Sequence, residues 1–180
     1  SALGTEDTGA KSVAIGYAAL GLQNYNGDAY NIAIGYSTGS EITTGTFNTI
    51  IGGLAGDALT TGSGSVALGY NALGSTTTAI ENVAIGINAL VANVDGAKNV
   101  AVGSYALTAL DPASATDMYN VAVGHQAGTA ITTGVKNTSI GARSMQATTV
   151  GQENVALGYQ AMYTNVDGSK CVAIGANALL

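Results

Sequence analysis

The chain has 180 residues and a formal charge of −6, with 26 glycines, one phenylalanine and no tryptophan. So few bulky side chains argue against an ordinary compact core, and the modest glycine content with a single proline excludes collagen. The low charge and the many β-branched residues argue against disorder. No apolar run reaches the length of a membrane span. The excess of acidic over basic residues disfavours a nucleic-acid partner.

A five-residue phrase recurs ten times, as Asn or Ser, then Val, Ile or Thr, then usually Ala, an aliphatic residue and Gly. The first copy is SVAIG at 12–16 and the last is CVAIG at 171–175. Seven of the nine separations between closing glycines are 17 residues, and the other two are 19 and 21. This period predicts an all-β solenoid of about ten coils, forming one repeat domain over residues 1–180. The closing glycines are Gly16, Gly35, Gly52, Gly69, Gly86, Gly103, Gly124, Gly141, Gly158 and Gly175.

Each repeat predicts the same succession of backbone elements. The V-A-I alternation predicts a strand with the β-branched side chains on one face and the small Ala on the other. A second phrase three residues later, such as Ala72-Leu73, is interpreted as a short strand after a tight turn. Coils stacked about 4.8 Å apart then form a rod on the order of 50 Å long. A second glycine column, seven residues before the closing glycine, predicts a wider turn with positive φ: Gly9, Gly45, Gly62, Gly96, Gly134, Gly151 and Gly168.

Stacking places equivalent residues of successive coils above one another. In the column before each strand phrase, we expect Glu81 to lie beside Lys98 in a solvent-facing charge ladder, and Tyr30 to lie on Phe47. The first position of the phrase predicts hydrogen bonding along the rod, as in amide ladders. It is asparagine in seven coils: Asn31, Asn48, Asn82, Asn99, Asn120, Asn137 and Asn154.

The only histidine, His125, lies at a repeat position that is tyrosine in four other coils. This placement favours a structural role. A catalytic or metal-binding role would need partners, and the sequence has no Cys/His/Asp cluster with ligand spacing. We therefore expect no enzymatic activity, no catalytic residue, no metal site and no cofactor.

The ends and the faces of the solenoid predict further contacts. Leu3 precedes Leu20 by 17 residues, so residues 1–4 are expected to be the tail of an earlier coil. Neither end carries the polar cap that solenoids need, and we expect coils or other domains beyond both ends. One apolar face would stay exposed if the chain stood alone. A threefold bundle of chains would bury that face.

The phrases SVAIG, NVAIG and NVAVG, with the following Ala-Leu, resemble the head repeats of YadA-like trimeric autotransporter adhesins, which form a left-handed parallel β-roll. The longer form NVALGYQAMYTNVDGSKCVAIG at 154–175 is similar to the repeats of phage tail fibres and related surface fibres. Because adhesin heads use shorter coils, the 17-residue coil favours the fibre. The resemblance implies a homotrimer on the virion or at the cell surface, with a role in host-cell attachment. The alternative is the head domain of a bacterial autotransporter adhesin.

Two other classes of solenoid protein fit the sequence less well than the fibre. A left-handed β-helix acyltransferase, with His125 as base, would run on hexapeptide steps, three to a coil. The single strand phrase in each 17-residue coil fits that pattern poorly. An ice-binding solenoid needs a T-x-T array on one strand face, whereas the threonines here are mostly pairs before turn glycines, such as Thr43-Thr44.

The two long coils are the places where we expect any receptor contact. They span residues 22–30 and 108–119, and the second contains the only proline, Pro112. Tyr, Asn and Asp side chains together suit saccharide binding, by stacking and hydrogen bonding. The alternatives are that both insertions are tolerated bulges, or that this segment is a shaft whose receptor site lies elsewhere. The candidate contact residues are Tyr25, Asp28, Tyr30, Asp111, Asp117, Met118 and Tyr119.

Overall fold

A computed structural model describes residues 1–4 and 11–180. This part of the chain is a parallel β-solenoid of about ten coils without a helix, so none is present there that could cross a membrane. Ten of its strands form one parallel sheet, with one strand from each coil, and β6 pairs with β8 in a second sheet. The strands are β1 (Val13–Ile15), β2 (Ile32–Ile34), β3 (Thr49–Ile51), β4 (Val66–Leu68), β5 (Val83–Ile85), β6 (Gly96–Ala97), β7 (Val100–Val102), β8 (Thr116–Asp117), β9 (Val121–Val123), β10 (Thr138–Ile140), β11 (Val155–Leu157) and β12 (Val172–Ile174).

The two long repeats do not disturb the register of the main sheet. Val13 lies opposite Ile32 across the 19-residue repeat, and Val100 lies opposite Val121 across the 21-residue repeat. These are the same pairings that the 17-residue repeats make, as between Val66 and Val83. The additional residues therefore leave the coil in its wide turn, which confirms that the long repeats bulge outward.

The core is a narrow column in which small strand residues pack beside larger aliphatic side chains of the segment that follows each strand. Ala84 of β5 is fully buried, while its neighbours Val83 and Ile85 point outward and are partly exposed. Ala72 and Leu73 of the second phrase are also fully buried. This inward and outward alternation confirms the predicted strand faces, and it leaves the larger aliphatic side chains of the strands outside the core.

Each coil adjusts its core volume with two residues, the fourth and seventh after the closing glycine. Where the fourth residue is Gly, the seventh is Ile or Leu, and where it is Leu or Met, the seventh is usually Gln, Thr or Asn. A Cβ added to Gly128 would lie 2.9 Å from Leu107 Cδ2 and 3.0 Å from Ile131 Cδ1. One large side chain therefore fills the space that the other vacates. The pairs are Gly39–Ile42, Gly56–Leu59 and Gly128–Ile131, against Leu20–Gln23, Leu73–Thr76, Leu90–Asn93, Met145–Thr148 and Met162–Asn165.

Exchanging the members of one such pair tests this volume rule. Gly128→Met alone should lower the free energy of unfolding by roughly 1–3 kcal/mol through overpacking. Ile131→Thr alone should lower it by about 1–4 kcal/mol through the cavity and the buried hydroxyl. The double variant reproduces the Met145–Thr148 pair of the next coil, so its loss should be well below the sum of the two. Urea unfolding measures all three, and simple additivity would contradict the rule.

The second phrase of each coil is not a strand, so that prediction is wrong. Asn71 and Leu73 have φ of 56° and 55°, and Glu81, before the next strand, has φ of 57°. Left-handed residues at alternate positions turn the chain too sharply for a strand. The segment still bonds both neighbouring coils, because Asn71 N–H donates to the Gly53 carbonyl at 3.0 Å and Leu73 N–H to the Ala89 carbonyl at 3.1 Å.

The predicted positive φ of the second glycine column is also wrong. None of its six described glycines has a positive φ, which belongs instead to the closing glycines, at 119° to 143°. Glycine is needed in this column for space: a Cβ on Gly45 would overlap the carbonyl oxygen of Gly62 in the next coil. Gly9 lies outside the described residues.

The asparagine column forms a buried hydrogen-bond ladder along the rod. Asn137 N–H donates to Asn120 Oδ1 at 2.9 Å, and Asn154 N–H donates to Asn137 Oδ1 at 3.0 Å. Six of the seven side-chain amides also donate to a glycine carbonyl 14 residues later, as Asn137 Nδ2 does to Gly151 at 2.8 Å. The exception is Asn99, whose amide donates to Asn82 Oδ1 and to the Ala97 carbonyl. The predicted ladder is confirmed, although most of its partners are backbone groups and not neighbouring amides.

Residues 1–4 follow the repeat frame. Leu3 N–H donates to the Ala19 carbonyl at 3.0 Å, and Leu20 N–H donates to the Thr38 carbonyl at 3.1 Å. Leu3 and Leu20 also share a left-handed φ of 49°. The 17-residue spacing between these two leucines therefore corresponds to one step of the solenoid.

Candidate functional site

Each long coil builds the same exposed cluster of Lys, Asp and Tyr. In the first triad (Lys11, Asp28 and Tyr30), Lys11 Nζ lies 2.7 Å from Asp28 Oδ2. The Tyr30 hydroxyl donates to the same carboxylate oxygen at 3.3 Å. The lysine ammonium also lies 5.5 Å from the centroid of the Tyr30 ring, within the range of a cation–π contact.

The second triad (Lys98, Asp117 and Tyr119) repeats this geometry. Lys98 Nζ lies 2.7 Å from Asp117 Oδ2, and the Tyr119 hydroxyl donates to that oxygen at 3.0 Å. The ammonium again lies 5.5 Å from the ring centroid of the tyrosine. Two insertions of different length therefore place the same three groups in the same arrangement, five coils apart.

The insertions are what allow an aspartate at this position. Asp28 and Asp117 each lie seven residues before a closing glycine, where most 17-residue coils have glycine. At Gly45 or Gly62 an added Cβ would overlap a carbonyl oxygen of the next coil. In the second long coil the pairing of β8 with β6 places Asp117 opposite Ala97 and not opposite the turn glycine Gly96. In both long coils the Asp side chain reaches the lysine of the preceding coil.

The ion pairs shift the titration of both partners in each triad. The Lys98 ammonium and the Tyr119 hydroxyl lower the pKa of Asp117 through hydrogen bonds, and the Asp117 carboxylate raises the pKa of Lys98. The same hydrogen bond lowers the pKa of Asp28 and raises that of Lys11. Each pair is therefore fully charged from mildly acidic to mildly alkaline pH. Its contribution is lost as pH falls through the lowered Asp pKa or rises through the raised Lys pKa.

Removing one lysine should release only its own aspartate. In a Lys98→Gln variant, the pKa of Asp117 should rise towards its ordinary value, because the ammonium that stabilises the carboxylate is gone. Asp28 in the first triad is the internal control, and its pKa should stay lowered. Carboxyl ¹³C NMR titration measures both groups in one sample. An unchanged pKa of Asp117 in the variant would mean that the ion pair does not persist in solution.

The other candidate residues of the long coils lie outside the triads or inside the core. Tyr25 is 36% exposed and lies over Gly27. Asp111 is exposed, and its N–H donates to the Thr132 carbonyl at 3.1 Å. Met118 is only 1% exposed and belongs to the hydrophobic core. The prediction that Met118 contacts a receptor is therefore wrong, because its side chain is buried in the core.

Lys11 and Lys98 are members of the triads that were not among the residues predicted from the sequence. Both occupy the column before the strand phrase, in the coil that precedes an insertion with the pattern D-x-Y. The expected pairing of Lys98 with Glu81 is wrong, because Lys98 binds Asp117 and no ion pair with Glu81 is present in the described part of the chain. A lysine in this column, followed by D-x-Y in the next coil, is the sequence pattern that indicates a triad.

The aromatic columns agree with the predicted stacking. Tyr30 stacks on Phe47 with ring centroids 5.6 Å apart, and Tyr17 stacks on Tyr36 at 5.4 Å. His125 meets Tyr105 edge to face at 6.1 Å. Among residues 1–4 and 11–180, no group of three or more His, Cys, Asp and Glu side chains could hold a metal ion.

The outer face of the ten-stranded sheet is a second candidate site, which we call the apolar stripe. It consists of the first and third residues of each strand in that sheet, which are Val, Ile or Leu at 18 positions and Thr at two. Ile15 is 57% exposed, Leu68 44% and Ile174 66%. The stripe therefore presents an uncharged aliphatic surface to solvent along the whole sheet.

Comparison with known proteins identified no relative of this chain. No protein-family model, no curated protein and no solved structure matches the chain. The features of the molecule that bear on function are the geometry of the solenoid, the two triads and the apolar stripe.

Proposed function

We propose that this chain is a non-enzymatic segment of a homotrimeric fibre, a left-handed β-roll that presents or mediates attachment to a host-cell surface. The phage-type tail fibre is the preferred assignment, with a location on the virion. The head of a bacterial trimeric adhesin, at the cell surface, is the alternative. The observation that carries the proposal is the apolar stripe.

The stripe is a long and regular apolar surface, which favours its burial against a partner. Ten strands about 4.8 Å apart give it a length of roughly 43 Å and, at a width of about 10 Å, an area on the order of 400 Å². An apolar patch of this size is comparable to the largest patch on a typical monomer, and such patches often are interaction surfaces. The flanking column of exposed tyrosines, which includes Tyr17 and Tyr36 at 67% and 60%, widens the surface.

A second and third copy of the same chain fit this surface better than an unrelated partner. Copies aligned in parallel have the same coil spacing, so each aliphatic row meets an equivalent row at every coil. The two insertions lie in the wide turns and leave the sheet in register, so they do not interrupt the contact. Three chains around one axis would bury the stripe of each chain.

Charged residues in the stripe should dissociate the assembly without unfolding the chain. Leu68→Glu with Ile140→Glu places two carboxylates on outward-facing positions that are 44% and 37% exposed. In the trimer each would be buried without a partner, at a cost of several kcal/mol. The matched control, Thr61→Glu with Thr133→Glu, changes exposed residues seven positions earlier in the same coils.

Light scattering measures the mass of each variant, and circular dichroism measures whether it is folded. The stripe variant should fall to the monomer mass of 17.7 kDa with a native-like spectrum, and the control should keep the mass of the parent protein. If both variants keep the same multimeric mass, the stripe is not the interface, and the proposal fails.

A further inference from the structure

A cleft lies beside the second triad, where the inserted strand β8 pairs with β6. It has a volume of about 330 Å³. Ile80 and Ala97 supply apolar surface, and Asp95 and Asp117 supply carboxylates. This combination of apolar surface with a few convergent polar groups is typical of small-ligand sites. The insertion that creates the second triad therefore also creates a concave surface beside it.

Both carboxylates are held in place by protein donors. The Thr78 hydroxyl donates to Asp95 Oδ1 at 2.8 Å. Lys98 and the Tyr119 hydroxyl both donate to Asp117 Oδ2. Within the described residues, no hydrogen bond engages the other oxygen of either carboxylate. Each aspartate is thus oriented through one oxygen and keeps a second as a free acceptor.

We propose that this cleft binds one neutral sugar unit of a cell-surface glycan, with Asp95 and Asp117 accepting hydrogen bonds from sugar hydroxyls. This inference depends on the attachment function proposed above. Carboxylates are strong acceptors for hydroxyl donors, and the aliphatic surface of Ile80 suits the C–H face of a pyranose ring. The exposed Thr116, which also lines the cleft, adds a further polar group.

The charge of the site selects against acidic sugars. Two carboxylates and one ammonium give the cleft a net charge of −1, from Asp95, Asp117 and Lys98, and the chain as a whole carries −6. A sialic acid or a phosphorylated sugar would be repelled by both. The volume of the cleft is at the lower end for ligand pockets, so a single hexose or N-acetylhexosamine unit is the expected occupant.

Saturation-transfer NMR on the full chain tests the assignment. The probes are the methyl glycosides of glucose, galactose, mannose and N-acetylglucosamine, with N-acetylneuraminic acid as the anionic comparison. At least one neutral glycoside should receive saturation, and the acid should not. Asp95→Ala and Asp117→Ala should each weaken binding about tenfold or more, because each removes a charged acceptor. Asp167→Ala changes the exposed aspartate of the other NVDG turn, which matches Asp95 but does not line the cleft, and it should leave the affinity within about twofold.

The inference is overturned if none of the four neutral glycosides binds, if only the acid binds, or if Asp167→Ala weakens binding as much as Asp95→Ala. Circular dichroism checks the fold of each variant. Thr78→Val, which removes only the hydroxyl that orients Asp95, provides a second readout if Asp117→Ala unfolds, and it should weaken binding severalfold. The mass of the same samples separates the two proposals: a trimer that binds no sugar refutes the cleft, and a monomer that binds sugar refutes the fibre.

Discussion

Gly86→Ala is expected to lower the free energy of unfolding by roughly 3–6 kcal/mol, a large effect for a single methyl group. Gly86 has φ of 130°, a conformation that residues with a Cβ rarely adopt. The new Cβ would also lie 2.6 Å from the carbonyl carbon of Gly103 in the next coil. Backbone strain and a backbone clash therefore act at the same position.

Gly64→Ala is the matched control, and its free energy of unfolding should stay within about 1 kcal/mol of the parent. Gly64 has φ of 71°, but its column contains Glu81 and Lys98 with similar left-handed φ. A Cβ there would make only ordinary contacts with Glu81, at 3.5 Å from its Cγ and 4.0 Å from its backbone nitrogen. Urea unfolding of both variants measures the difference. If both variants lost the same free energy of unfolding, the close contact between coils would not be the reason that glycine is needed at the closing positions.

Asn137→Ala is expected to lower the free energy of unfolding by about 2–5 kcal/mol, because it leaves two buried backbone groups without partners. These are the Asn154 N–H, which donates to Asn137 Oδ1 at 3.0 Å, and the Gly151 carbonyl, which accepts from Asn137 Nδ2 at 2.8 Å. Asn137→Ser should lose less, since Ser65 occupies the same column and its hydroxyl accepts the Asn82 N–H at 3.3 Å.

Lys136→Ala controls for the ladder experiment. Lys136 is the exposed neighbour of Asn137, and its truncation should change the free energy of unfolding by no more than about 0.5 kcal/mol. Chemical denaturation of the three variants ranks them directly. If Asn137→Ala were as mild as Lys136→Ala, the ladder would not contribute to stability as its geometry requires.

The solenoid could be predicted because its strands are set by a local pattern. The 17-residue spacing gives the coil, and the alternation around Ala84 gives the buried face, so both follow from neighbours in sequence. The constant register across the long coils follows from the same cause: the strand phrase is repeated intact on both sides of each insertion.

The turns could not be predicted in the same way. The second glycine column is required by the carbonyl of the next coil, as at Gly45 and Gly62, and that contact is long-range. The positions with left-handed backbone conformation are recognisable in the sequence. Apart from glycine, none of the described residues with positive φ is Val, Ile or Thr. β-branched side chains clash with that backbone conformation, so their exclusion from three columns of the repeat indicated it.

The candidate site was only partly accessible from sequence. Asp28 and Asp117 were identified from the chemistry of their insertions, but their lysine partners belong to the preceding coil. Met118 lies between Asp117 and Tyr119, and a strand-like alternation places it inward while its two neighbours point outward. Treating the insertion as an extended segment would have assigned Met118 to the core.

The absolute mass of the protein in solution, measured by light scattering and repeated after tenfold dilution, tests the central claim most directly. The account predicts a mass near three times 17.7 kDa that does not change on dilution, because the apolar stripe of each chain is buried against two others. A stable, well-folded monomer of 17.7 kDa would contradict it, since the stripe would then remain in water without a partner.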